Sequence, residues 1–252
     1  MSSFFYQNSI KLVKTGKFYK VTYKTYYNER LKKSFFHDKL MYPLYAQVIF
    51  DRIPLAFKSY YYNLFSKPKY SDYMSGKIQA PDIKEIIKKE EGLIGFIVDK
   101  NTQDFSLDIF KKEYAYYSRD LLDMMEESFL DYLFTFFADE GMPFIGESLK
   151  VGASKFHLYH LIQDFKIALY PIIYKRLLEN SFYYAPPYLP LYAFTEKLKR
   201  NELKCLTVME WEGGEIKVRF ANFFMKNYQE KQVEETMREI QKWIDRKDAK
   251  RS

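Results

Sequence analysis

The chain has 252 residues, enough for one large domain or two modest ones with a sizeable core. Hydrophobic residues make up 47% and charged residues 29%, with only 9 Gly and 9 Pro, which excludes a disordered or collagen-like chain. The one cysteine, Cys205, excludes an internal disulfide and a cysteine-based zinc site. The net charge of +7 is unevenly spread: residues 1–70 hold 13 Lys or Arg against Glu29, Asp38 and Asp51, whereas the remainder holds 27 against 30. A positive field concentrated on one small unit suits a polyanion partner; the alternative is a solvated basic surface. The opening residues have no apolar run of signal-peptide length. No stretch reaches the ~18 uninterrupted apolar residues of a membrane helix, so the expectation is a soluble, cytoplasmic protein without a membrane partner.

In chain order, "KFYKVTYKTYY" at 17–27 alternates with period two. Tyr19, Val21, Tyr23 and Tyr27 fall on one face, and Phe18, Lys20, Thr22 and Lys24 on the other, which predicts a strand with one basic face. "NERLKKSFFHDKLM" lacks a period and reads as a charged loop. "PLYAQVIF" at 43–50 and "PLAFKSYYY" at 54–62 alternate again, and the short link between them predicts a hairpin with Pro54 opening the third strand. A three-stranded antiparallel sheet follows, which needs a helix over its apolar face.

The Ser, Pro, Gly and Lys cluster at 66–82 predicts a linker. Helical spacing then appears from Pro81, and again from Ser106 through Phe136 until Gly141 and Pro143 end it. It returns over 155–180, where Pro171 should kink or split the helix. "FYYAPPYLPLYAF" at 182–194 predicts extended backbone wrapping the core, with recognition by an aromatic-groove module as the other reading. "CLTVMEWEGGEIKVRF" at 205–220 predicts a hairpin around Gly213-Gly214. The final segment is an amphipathic helix with a stripe of Val233, Met237, Ile240 and Ile244. The fold class is α+β. Residues 1–70 form the basic sheet unit and 71–80 the linker. Residues 81–252 form a mainly helical domain with one late hairpin and a terminal helix.

"FYKVTYKTYY", followed by "YPLYAQVIFDRIPLAFKSYYY" and "LFSKPKY", resembles the amino-terminal region of phage-type tyrosine recombinases of mobile elements. The similarity covers roughly residues 15–70. In that family a small three-stranded sheet with a covering helix binds arm-type DNA sites. The family's catalytic domain requires two arginines, a lysine, histidines and a tyrosine nucleophile, with an H-x-x-R pairing late in the chain. Here the histidines are His37, His157 and His160, and the residues three beyond the last two are His160 and Gln163. The resemblance therefore implies a DNA-contacting front without the strand-cleaving machinery.

Lys20 and Lys24 should lie about 13 Å apart on one strand face. With Lys17, Arg30, Lys32, Lys33, Arg52, Lys58, Lys67 and Lys69 they form the candidate phosphate contacts; Thr22 and Gln47 are candidates for groove contacts. Duplex DNA is the favoured partner, with single-stranded DNA or RNA the alternative because tyrosines also stack on bases. A second copy or a recombinase partner is expected through the terminal helix. A protein-interaction scaffold is the competing reading. A third reading is a metal-dependent nuclease using Glu210, Glu215 and Lys217, where "EIK" is similar to the E-x-K half of such sites. His157 and His160 have metal-ligand spacing but only Asp164 near them in register, so no metal, cofactor or catalytic residue is expected.

Overall fold

The computed structural model describes residues 8–14, 17–74, 77–199, 202–226 and 228–249; the side chains of 12–14, 17–18, 72–74, 77–78 and 247–249 lie outside that description. The chain divides into two compact units, Met1–Ser118 and Arg119–Ser252.

The first unit is built on a four-stranded antiparallel sheet of order β1-β2-β5-β6, from β1 (Asn8–Lys14), β2 (Lys17–Tyr27), β5 (Leu44–Phe50) and β6 (Ile53–Lys58). A short hairpin of β3 (Ser34–Phe36) and β4 (Lys39–Met41) interrupts it between β2 and β5. There follow α1 (Tyr60–Phe65), a single 3-10 turn (Pro68–Tyr70), a hairpin of β7 (Asp72–Met74) and β8 (Lys77–Gln79), α2 (Ile83–Lys100) and α3 (Leu107–Tyr117).

Alternation decides which side of the sheet is dry. Val21, Tyr23, Thr25, Leu44, Ala46 and Val48 are buried, and Ile86, Leu93, Ile94, Ile97 and Val98 of α2 are buried with them. Helix α2 passes so close to β2 that a Cβ on Gly95 would stand 2.9 Å from the Tyr23 hydroxyl. Helix α3 adds Phe110, and its Tyr114 ring meets Phe57 edge-on at 4.5 Å.

Several expectations change here. The sheet has four strands rather than three, because "NSIKLVK" pairs along the whole of β1. Tyr60–Tyr62 turn helical instead of extending β6, because the Ser59 hydroxyl caps α1 by accepting from the Tyr62 amide at 3.0 Å. The charged loop contains the β3–β4 hairpin. The stretch at 71–80 pairs as β7 and β8, with Ser75 and Gly76 outside the described residues. The compact division falls after Ser118 rather than in that stretch, since α2 and α3 share the sheet's core.

The second unit is helical: α4 (Leu121–Asp139), α5 (Pro143–Gly152), α6 (Leu158–Ala168), α7 (Pro171–Tyr184), α8 (Tyr188–Leu198), α9 (Val208–Glu212), α10 (Glu215–Phe224) and α11 (Glu230–Ala249). Its centre is α4, which buries Leu121, Met125, Phe129, Leu133 and Phe137. The apolar period expected to run unbroken from 106 is cut at Ser118–Asp120. Asp120 caps α4 there and also accepts the Leu206 amide at 2.8 Å. Pro171 splits its helix, as expected, into α6 and α7.

Residues 182–194 do not wrap as extended chain. Only Pro186-Pro187 breaks the helices, and Pro190 sits in the first turn of α8, where an amide has no intrahelical partner to lose. The hairpin expected at 205–220 is a pair of helices. Thr207 and Glu210 form a capping box at α9, and Gly214 at φ +86° lets the chain restart as α10. The stripe of α11 is already in use: Val233, Ile240 and Ile244 are buried in this unit, and Arg119 donates to the Ile244 carbonyl at 3.3 Å. Met237, the fourth residue of that stripe, is half-buried.

Beneath the sheet, Glu90 of α2 is fully buried. It accepts from the Ser59 hydroxyl at 2.5 Å, the Tyr61 amide at 3.4 Å and the Tyr114 hydroxyl. Burial raises its pKa above the ordinary 4.5, against the lowering effect of those hydrogen bonds. The folded state thus holds a proton that the unfolded chain has released. Glu90 adds stability below its ordinary pKa and loses that contribution as pH rises through the folded value. The unfolding free energy of the native chain, minus that of Glu90→Gln, should fall with rising pH above about 4.5, at up to ~1.4 kcal/mol per pH unit. Urea unfolding across pH checks this; a flat difference would place the carboxyl elsewhere.

Candidate nucleic-acid interface

The four strands leave one face outside the core. Ser9 and Lys11 come from β1; Lys20, Thr22, Lys24 and Tyr26 from β2; Tyr45, Gln47 and Ile49 from β5; and Pro54, Ala56 and Lys58 from β6. No carboxylate occupies any of these positions. Among the described residues, none lies within ion-pair distance of Lys11, Lys20, Lys24 or Lys58.

The pairing register sets out the charges. Lys11 stands directly opposite Lys20 at one end of the sheet. Like charges directly opposed on neighbouring strands repel, and a bound anion relieves that repulsion. Lys24 stands opposite Gln47 at the middle, with its Nζ 5.5 Å from the centre of the Tyr26 ring. At the far end Tyr26 faces Tyr45 at 6.3 Å between ring centres, and Tyr45 faces Lys58.

Of the candidates named from the sequence, Lys20, Thr22, Lys24, Gln47 and Lys58 thus share one face. Arg52 is exposed in the two-residue turn joining β5 to β6. Arg30, Lys32 and Lys33 are exposed on the segment leaving the end of β2, and Lys33 lies 4.9 Å from the centre of the Tyr42 ring. Lys67 and Lys69 belong to the turn after α1, away from the strands, with Lys69 5.7 Å from the Tyr70 ring. The Lys17 side chain lies outside the described residues. Lys11 and Ser9 were missed in the sequence, although Ile10 and Leu12 alternate with them at the strand period.

The rival chemical sites disperse. Glu210 caps α9 through the Thr207 amide at 2.8 Å and pairs with Lys199. Glu215 lies 3.7 Å from Arg219, and Lys217 donates to Gln241 at 3.4 Å. They sit on two helices rather than adjacent strands, so the cross-strand arrangement of the nuclease reading does not form. Buried Glu126 accepts from the Leu158 amide at 3.0 Å and the Tyr188 hydroxyl at 2.5 Å, with His157 Nδ1 at 3.5 Å, while His160 Nε2 lies 3.2 Å from the Tyr192 hydroxyl. Among the described residues no group of three His, Cys, Asp or Glu could hold a metal, and Cys205 is buried. No helix among them is long and apolar enough to cross a membrane. The helical unit also has a groove of about 990 Å³, lined by Tyr159, Phe182, Tyr183, Pro187, Phe223 and Tyr228.

Asp51 and Arg52 both adopt positive φ, +48° and +64°. Two such residues make the hairpin turn whose twist matches the strands, and glycine is the favoured second residue. An arginine there is strained by about 1 kcal/mol. Arg52→Gly should therefore raise stability by about 1 kcal/mol. Thermal unfolding checks this; a loss of stability would contradict the turn assignment. Compared with known proteins, the chain matches no family model, no curated protein and no solved structure at a significant level.

Proposed function

We propose that this chain is a DNA-binding protein that grips duplex DNA with the outer face of its four-stranded sheet, without cutting it. The observation that carries the reading is the set Lys11, Lys20, Lys24 and Lys58 on one face free of carboxylates. The resemblance of residues 15–70 to the arm-binding region of phage-type tyrosine recombinases adds mobile-element recombination as the process.

The dimensions suggest a division of labour. Three inter-strand spacings of ~4.8 Å put the axes of β1 and β6 about 14 Å apart, slightly more than the ~12 Å width of a major groove. The central strands β2 and β5 then enter the groove, where Thr22 and Gln47 meet base edges. The outer strands ride on its walls, where Lys11 and Lys58 meet phosphates, and the long side chains of Lys20 and Lys24 reach from β2 to the phosphates along the groove edge. Phosphate contacts set affinity and orientation, and base contacts set sequence preference.

One observation supports a protein partner in addition. The helical unit leaves Ile167, Tyr170 and Ile172 largely exposed on and between α6 and α7, an apolar surface suited to a recombination partner.

Retardation of duplex DNA across a salt series tests the proposal. Four phosphate contacts give a log–log slope of about −3.6, so affinity should fall by about 150-fold between 50 and 200 mM salt. Each Lys→Ala change at Lys11, Lys20, Lys24 or Lys58 should reduce the slope by about 1. Salt-independent binding, or wild-type slopes in all four variants, would favour the scaffold reading.

A further inference from the structure

We infer that the β3–β4 hairpin is a base-contacting tip that selects DNA in which duplex runs into an unpaired segment. The inference rests on the reading that the outer sheet face holds duplex.

The tip combines two properties rarely left together on a surface. Phe35 and Leu40 are direct partners in the β3–β4 register, so both side chains point to the same side. They are 71% and 57% exposed. The opposite side of the hairpin is fixed. Phe36 is fully buried and stacks on Tyr62 at 5.2 Å, and the His37 ring Nε2 lies 2.6 Å from the Phe65 carbonyl oxygen. The exposed pair is therefore held out on an anchored ribbon.

Cations flank it in the chain. Arg30, Lys32, Lys33 and Lys39 belong to this segment, against Glu29 and Asp38. The segment leaves β2 at the end of the sheet where Tyr26, Tyr45 and Lys58 stand. The segment thus starts from one end of the basic face, and its net positive charge complements the same polyanion. The chemistry that fits an aromatic ring among cations at the end of such a face is the flat surface of a nucleobase, with phosphates beside it. An unpaired base offers that surface without the cost of unstacking a paired step. Stacking of this kind tolerates any base, so the tip recognises the structure of the DNA rather than its sequence.

Fluorescence anisotropy with the full chain tests this on two DNAs, a blunt duplex and the same duplex with an unpaired tail. The native chain should bind the tailed DNA about tenfold more tightly. Phe35→Ala and the Phe35→Ala/Leu40→Ala pair should erase that preference and leave blunt-duplex affinity and thermal stability unchanged; Phe35→Trp should keep it. Lys24→Ala/Lys58→Ala should weaken both DNAs alike, which separates the tip from the face. Equal binding of both DNAs by the native chain, or equal weakening of both by Phe35→Ala, overturns the inference while sparing the duplex reading. Absence of binding to either DNA overturns both. Phosphatidylserine vesicles form a third arm: binding that Phe35→Ala abolishes there, with no change on DNA, would assign the tip to a lipid surface instead.

Discussion

The register of β2 against β5 is the constraint on which the rest depends. Thr22 pairs with Ile49, Lys24 with Gln47 and Tyr26 with Tyr45. A slip of one residue would turn Val21, Tyr23 and Thr25 to water and push Lys20 and Lys24 into the core. Burying one such ammonium without a partner costs several kcal/mol. The apolar faces of α1, α2 and α3 close the inner side, so the lysines have only the outer side to occupy. Folding of the first unit and display of its charges are thus one event, driven by apolar burial beneath the sheet.

The outer face does not satisfy its own charges. Lys11 opposes Lys20, and no carboxylate from the neighbouring strands answers either. Screened by solvent, this is a small cost to the free chain and a large gain in the field presented to an approaching polyanion. The buried side shows the contrary design. Glu90 is fully buried and gathers Ser59, Tyr61 and Tyr114 around one carboxyl, so it ties the start of α1 and the middle of α3 to α2. The two-residue turn at Asp51-Arg52 places an arginine where glycine would be easier.

The two central strands could be read from the sequence because period two in "KFYKVTYKTYY" and "PLYAQVIF" reports one dry face and one wet face directly. β1 carries the same alternation in "NSIKLVK", but over a shorter apolar set, and Lys11 was lost with it. The late hairpin failed for a physical reason. Alternation over "CLTVMEW" is too short to separate a strand from one turn of helix, and the deciding feature was the Thr207-x-x-Glu210 capping box. Asp120 hid in the same way, as a cap inside a continuous apolar period. Glu90 could not be found at all, since nothing local distinguishes a buried glutamate in "IKKEEGL" from its exposed neighbours. Phe35 and Leu40 were visible as residues but not as an exposed pair, because exposure depends on which side of a hairpin the unit's core covers.

The most direct test of the central claim is a lysine-modification footprint of the full chain, read by mass spectrometry with and without duplex DNA. If the outer sheet face is the interface, Lys11, Lys20, Lys24 and Lys58 become protected together while exposed Lys175 and Lys242 of the helical unit stay reactive. Protection spread evenly over both units, or confined to the helical one, would contradict the account.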